Sequence, residues 1–342
     1  MATRETVGRW FGRKGPEPRE PKLSFGSWET FPPGEHRILQ VCHPDWRGVR
    51  TATYAFGSPA VECDDLEKWG GDLVAGLRVA GVEVVVVQGW PPGSAWFSTA
   101  CRAAGVTVKC VLHSSPAQHG AEVGEAAVAD EVLSLASRKV LTEVGMVKYG
   151  VVEAFRARGH PVTYLPNRAP LMPEVPKLDL GPGLHIGVFA EPFWRKNVVT
   201  QLLALGMLDG ARGHVMSKPS VGYLKDIDIV AHGELPWEDF IALQGSVDLN
   251  LYATLTECHP LMPIESYLLG VPCLTSRTSA VFRDDSELWE LTTVDKPDEP
   301  AAIALAAEML LGRQDEMVAR ARIWIHDADL RARESWAEFV SR

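Results

Sequence analysis

VDLNLYATLTECHPLMPIESYLLGVPCLTS, residues 247–276, decides the fold. An apolar, strand-like run leads into a loop broken by Pro260. A helix is predicted from near Pro263 to Gly270, and VPCLTS then opens another strand. Strand, loop, helix and strand make a βαβ unit, in which the helix carries the chain back so that the two strands lie parallel. In open sheets of such units, ligands bind outside the carboxyl ends of the strands, where Glu257 falls. Glu265 lies just inside the helix, and the two acceptor oxygens of a carboxylate suit a vicinal diol. Between them, the loop and helix start offer free N–H groups to phosphate oxygens. Two carboxylates flanking an anion-binding loop fit a ligand with hydroxyls on both sides of a phosphate, as in a sugar nucleotide. The plain alternative is a Glu265 that favours a helix start and a solvated Glu257.

The neighbouring stretch GVFAEPFWRKNVVTQLLAL (187–205) repeats strand, loop and helix, with Arg195, Lys196 and Asn197 just before the helix. Lys196 or Arg195 would approach the same crevice from the next strand end. Positioned cations there stabilise the charge that builds on a departing diphosphate. A basic pair at a helix start opposes the helix dipole, which weakens a purely structural explanation for it.

The same alternation extends in both directions. LHIGVFA (184–190), GHVMS, DIVAHG, VDLNLYA and VPCLTS read as buried strands of the second half. In the first half the strands are HRILQVCH (36–43), VEVVVVQ (82–88), VTVKCVL (106–112), RKVLTEV (138–144) and PVTYLP (161–166). Continuous apolar runs of this kind indicate burial on both faces and hence parallel sheets covered by helices. The intervening helical segments 72–81, 96–105 and 147–159 each end in a glycine suited to the helix C-terminus. The Pro/Gly-rich stretch APLMPEVPKLDLGPG (169–183) separates the halves. A chain of 342 residues suits two domains. The predicted division is a basic arm over 1–24, a Rossmann-like domain over 25–168, a linker over 169–182 and a second Rossmann-like domain over 183–325. A long amphipathic helical stretch is predicted from Pro300 to the end, with 326–342 as the final helix crossing back to the first domain.

Other chemistries find little support. The glycines of GPGLHIG (181–187) precede a strand, whereas a dinucleotide fingerprint follows one. Asp226 and Asp228 read as a solvated strand end rather than a metal site. The six cysteines show no zinc-like spacing, and no metal site is expected. No apolar run reaches the roughly 18–20 residues that span a bilayer, and the N-terminus has no apolar signal region. A cytoplasmic protein is therefore expected. The net charge of −10 excludes an all-over basic nucleic-acid binder. The first 22 residues run the other way, with six basic residues against three glutamates, a candidate polyanion contact or simply a solvated arm.

At these residues the second half resembles the retaining GT-B glycosyltransferases of glycosyltransferase family 4, the glycogen-synthase-like group. The resemblance rests on the E-x7-E motif from Glu257 to Glu265 with ESYLLGVPCLTS after it, the strand–loop–Lys–helix around Lys196, and HGELPWEDFIALQGSVDLNLYAT. PVTYLPNR (161–168) is similar to the end of the family's N-terminal domain, and RESWAEFVSR to its last helix. The similarity is good over about 183–300 and thin before 80. It implies a GT-B fold, two Rossmann-like domains facing a cleft, and a metal-independent hexosyl transfer from a nucleotide sugar such as a UDP- or GDP-sugar, with no cofactor. Glu265 would hold the ribose hydroxyls and Glu257 the donor sugar. Amides near His259, Pro260 and Leu261 would contact sugar and phosphate, while Lys196, with Arg195, would meet the diphosphate. The resemblance also marks His113 as a donor-sugar contact, and a front-face displacement as the route to retention. Two features depart from the family pattern: Val188 stands where an arginine is usual, and the loop between the glutamates lacks its common glycine.

The acceptor side is drawn from strand ends of the first half, with His43, Asp45 and Arg47 after one strand and His113, Ser114 and Ser115 after another. Three other readings stay open: transfer to a hydroxylated nucleic-acid base, a sugar-nucleotide-binding protein without turnover, and a nucleotide-sugar epimerase.

Overall fold

A computed structural model describes residues 37–342. The basic arm of the sequence reading lies outside them.

Two six-stranded sheets, parallel throughout, organise the chain. The first contains β1 (Ile38–Cys42), β2 (Ala60–Glu62), β3 (Val84–Gln88), β4 (Thr107–Leu112), β5 (Val144–Met146) and β6 (Val162–Tyr164), in the order β2-β1-β3-β4-β5-β6. Helices α1 (Arg47–Ala55), α2 (Leu66–Val79), α3 (Ser94–Ala103), α4 (Pro116–Ala121), α5 (Val123–Ser137) and α6 (Val152–Arg156) connect them. The second sheet contains β7 (Leu184–Val188), β8 (Ala211–Val215), β9 (Ile229–Ala231), β10 (Leu249–Tyr252), β11 (Cys273–Ser276) and β12 (Thr293–Val294). Its order, β12-β11-β10-β7-β8-β9, is the doubly wound 3-2-1-4-5-6 arrangement read from the β9 edge. Its helices are α7 (Val198–Leu205), α8 (Trp237–Gln244), α9 (Leu261–Leu269), α10 (Ser286–Thr292), α11 (Pro300–Leu311) and α12 (Gln314–Ser341).

The apolar runs decide this architecture. In β3, VVVVQ is buried on both faces because helices cover both sides of a central strand. The opening stretch folds as the βαβ unit β10–α9–β11, and Gly270 closes its helix at φ +87°, a conformation that costs glycine no Cβ clash. Helix α9 begins at Leu261 rather than near Pro263. Pro263 sits in the first turn, where its missing N–H is unpaired anyway.

Two sequence expectations change. RKVLTEV (138–144) is mostly not a strand: α5 ends at Ser137, Lys139 turns at φ +61°, and only Val144 enters β5. Leu141 is fully buried beneath that turn, so the run satisfies its hydrophobicity without joining the sheet. The C-terminal helical stretch is two helices, separated at Gly312 and Arg313, and the final one begins at Gln314 rather than at 326. The short strand β2 was not anticipated, its three residues giving too little periodicity to read.

The 28 residues of α12 span about 42 Å. Met317, Ala321 and Ile325 belong to the core of the second sheet. Further along, Trp336, Phe339 and Val340 pack with Phe56, Val86 and Val111 of the first. Trp336 stacks on Phe56 at 4.3 Å, and midway Asp329 accepts both arms of the Arg168 guanidinium at 3.0 and 2.9 Å. One helix therefore pins both sheets.

Candidate active site

The two sheets reverse strand order between β7 and β10 and between β1 and β3, and crevices open at such points. Everything that follows β7 and β10 converges there. Arg195 and Lys196 lie on a single 3-10 turn, Trp194–Lys196, after β7. Asn197 then takes the left-handed conformation at φ +55°, and its amide donates to the Ala253 carbonyl at 3.0 Å. Leu255 N–H bonds the Arg195 carbonyl at 2.8 Å. The loop after β7 is thus fastened to the end of β10, which fixes where the two cations point.

They point at Glu257. Its Oε1 accepts from Arg195 Nη1 at 3.1 Å, from the Tyr252 hydroxyl at 3.1 Å and from Lys196 Nζ, which also contacts the Tyr252 hydroxyl. The carboxylate is buried. Burial pushes the Lys196 ammonium below its ordinary value, while the Glu257 carboxylate beside it pulls the other way. Two cations against one carboxylate leave one net positive charge at the crevice. Val188, where an arginine would be usual, is fully buried in the core and presents nothing to the cleft. Arg195 and Lys196 are the cations paired with Glu257.

Glu265, on the second turn of α9, is 6% exposed. Burial pushes its carboxyl up to about 7, opposed by the Arg47 guanidinium. Among the described residues no hydrogen bond or ion pair reaches its carboxylate, and an unpartnered buried carboxylate is costly unless a ligand uses it. Between the two glutamates, no backbone N–H from Glu257 to Met262 bonds a backbone carbonyl outside regular structure among the described residues. Pro260 caps α9, and Leu261 begins it. The His259 ring is held neutral, pushed down to about 4 by burial, with Nδ1 unpartnered.

Three residues of the first half hold this loop. Ser115 Oγ shares a 3.0 Å hydrogen bond with Thr256 Oγ1, and Asn167 donates to the His259 carbonyl at 2.8 Å. Lys148 donates to the carbonyls of Glu257 at 2.5 Å and Thr278 at 2.6 Å. Lys148 escaped the sequence reading; its only signal is a lysine just past the carboxyl end of β5.

On the first-sheet side, His113 follows β4, and burial pushes its ring down to about 4. Its tautomer follows from a buried relay. The Gln40 amide donates to the Thr53 and Ser58 carbonyls at 3.0 and 3.1 Å, so its oxygen accepts from Gln88 at 2.8 Å. The Gln88 oxygen is then left to accept from His113 Nε2–H at 2.9 Å. His113 Nδ1 keeps a lone pair for a ligand. Gln40 and Gln88 were also missed, because isolated glutamines in apolar strands carry no pattern.

The remaining sequence candidates scatter. Ser114 Oγ is spent on His119 at 2.9 Å. His43 Nδ1 accepts from the Asp45 backbone at 3.1 Å, its ring stacks on Trp46 at 4.8 Å, and Asp45 is exposed. Arg47 leaves the group entirely: its guanidinium lies over the Trp237 and Phe240 rings of α8, on the other side of the cleft. Asp228 pairs with Arg212 at 2.8 Å on the surface. Among the described residues no group of three or more His, Cys, Asp or Glu is placed to hold a metal ion, and no helix is long and apolar enough to cross a membrane.

No family model and no curated protein matches this sequence. Solved structures do. Anabaena HepE in complex with UDP-glucose is similar over 89% of this chain and 99% of its own, at TM-score 0.66 and 13% identity. Sucrose-phosphate synthase from Thermosynechococcus elongatus is similar over 88% and 98%, at 0.65 and 13%. An E. coli structure titled trehalose-6-phosphate bound with UDP-2-fluoro glucose is similar over 89% and 99%, at 0.60 and 11%. The shared fold is GT-B, two Rossmann-like sheets meeting at a cleft.

Proposed function

We propose that this chain is a glycosyltransferase that moves a sugar from a nucleotide-sugar donor to an acceptor hydroxyl with retention of configuration. The observation that carries the reading is the Arg195–Lys196–Glu257 cluster at the β7/β10 switch point, with the unpartnered carboxylate of Glu265 on the following helix. In this reading Glu265 takes the ribose diol, Lys196 and Arg195 meet the diphosphate, and the free amides near His259 and Leu261 complete the anion site. Glu257 serves the sugar while holding both cations in place.

Retention enters with the GT-B reading, and the site residues are compatible with it. A covalent route would use a carboxylate nucleophile, and the bonds of Glu257 Oε1 to two cations and a hydroxyl draw charge from that carboxylate and weaken it as one. Front-face displacement fits better: Lys196 and Arg195 stabilise charge on the leaving diphosphate, whose oxygen takes the acceptor proton. His113, neutral with Nδ1 available, would accept a hydrogen bond from a sugar hydroxyl.

The GT-B structures that bind UDP-glucose make it the first donor to try. A thermal-shift panel of UDP-, GDP- and ADP-sugars in EDTA tests the reading, since lysine and arginine rather than a metal are assigned the diphosphate. Binding to the native state raises stability as RT ln(1 + [L]/Kd), about 2.7 kcal/mol at a hundredfold excess over Kd. One donor should stand out on the wild type and fail with Glu265→Ala. A flat panel defeats the proposal.

A further inference from the structure

Arg47 is the first residue of α1, on the first sheet's side of the cleft. A cation at a helix N-terminus opposes the dipole, and α1 has no side-chain cap or acidic residue in its first turn to offset it. Local structure therefore gives no reason for an arginine here. Its guanidinium instead reaches the second sheet and lies 4.3 Å from the Phe240 ring centre and 4.9 Å from that of Trp237. These rings stand one turn apart on the first turns of α8, stacked at 6.1 Å, and Phe240 is braced edge-on by Phe189 at 5.5 Å. The seat is rigid and aromatic, the kind of face on which a planar cation settles.

The charges around it add a direction. Burial lowers the proton affinity of Arg47, and Glu265, Glu191 and Glu234 oppose that, with Arg50 acting against them. Those carboxylates follow β7 and β9 or lie on α9, so Arg47 hangs over the carboxyl ends of the second sheet. It forms no ion pair with Glu265, although each is felt by the other. Their charged atoms therefore stand more than 4.0 Å apart.

We propose that Arg47 is a donor-binding residue contributed by the opposite sheet, gripping the nucleoside of the donor against Glu265. This rests on the donor-site reading above. A guanidinium has only donors to offer, so it reaches ribose or base oxygens while Glu265 accepts from the ribose hydroxyls. One nucleoside would then touch both sheets, and donor binding would close the cleft.

Isothermal titration of the full chain with UDP-glucose tests this. Arg47→Ala should weaken binding by about 10–100-fold, the scale of a lost hydrogen bond to a charged group. Arg47→Lys should stay within about threefold of the alanine variant, because an ammonium reproduces neither the fork nor the stack. The double variant with Glu265→Gln should bind little more weakly than either single variant, since both grip one nucleoside. Binding by Arg47→Ala within twofold of wild type, or tighter, overturns the proposal, the latter because the guanidinium would then be a plug. Fully additive losses in the double variant also overturn it. If the wild type binds no UDP-, GDP- or ADP-sugar, the donor-site reading itself has failed, and that outcome is distinct from all of these.

Discussion

The two sheets meet the cleft with opposite chemistry. The second presents charge: Arg195, Lys196 and Glu257 locked together beside the desolvated Glu265. The first sends only the separate cations Lys148 and Arg47 across, and at its own strand ends presents a neutral relay of Gln40, Gln88 and His113 with every hydrogen bond directed. A charged cluster suits a charged ligand and a changing charge. A neutral relay suits the fixing of one lone pair. On the proposed function, donor phosphate and leaving group fall to the second sheet, and orientation of an uncharged group falls to the relay of the first.

The largest test of that contrast is Lys196→Ala. Removing one positioned group that stabilises developing charge costs about 10²–10³ in kcat. The same truncation leaves Glu257 with Arg195 and Tyr252, so the fold should survive. Turnover of UDP-glucose, with or without acceptor, measures it. A loss below about threefold would place the leaving group elsewhere.

What the sequence revealed follows the same divide. Glu257 and Glu265 share one local strand–loop–helix and Lys196 lies on a neighbouring one, so the position of each at a strand end was legible from local pattern. The two Rossmann-like sheets were legible because most continuous apolar runs between glycine-ended helices are doubly covered strands, and the resemblance of the second half supplied GT-B. Gln40 and Gln88 lie 48 residues apart, and only the pairing of β1 with β3 makes them neighbours. Arg47 looked like an acceptor-side residue because its strand end faces the cleft; no local pattern shows that its side chain crosses to α8. RKVLTEV misled because a buried turn and a buried strand share one composition.

Next in size is Glu265, where stability and function should part. Its native carboxyl, at about 7, lies above the ordinary 4.5, so the native state holds more protons than the unfolded state between those values. Stability therefore falls as pH rises from about 4.5 to 7 and stays low above it. The shift corresponds to roughly 3 kcal/mol at one pH unit per 1.36 kcal/mol. Glu265→Gln should consequently melt a few degrees higher than wild type at pH 8 and no higher at pH 4, while losing donor-induced stabilisation. Equal melting points at pH 8 would mean that the carboxylate is not paying for its burial, and would remove the main sign that it awaits a ligand.

The smallest effect belongs to the neutral side. Gln88→Met keeps the volume but removes the acceptor that holds His113 in its Nε2–H form, and it leaves the Gln40 oxygen unpaired. The unpaired group costs about 1–3 kcal/mol of stability. If His113 Nδ1 orients the sugar in the transition state, kcat should fall about tenfold while donor affinity holds, because the lost contact is positional rather than electrostatic. Nitrogen chemical shifts of the imidazole would show the tautomer mixture directly. Unchanged kcat with a mixed tautomer would take His113 out of the reaction. A parallel loss of donor affinity would mean that the two sheets share the donor more evenly than their chemistry suggests.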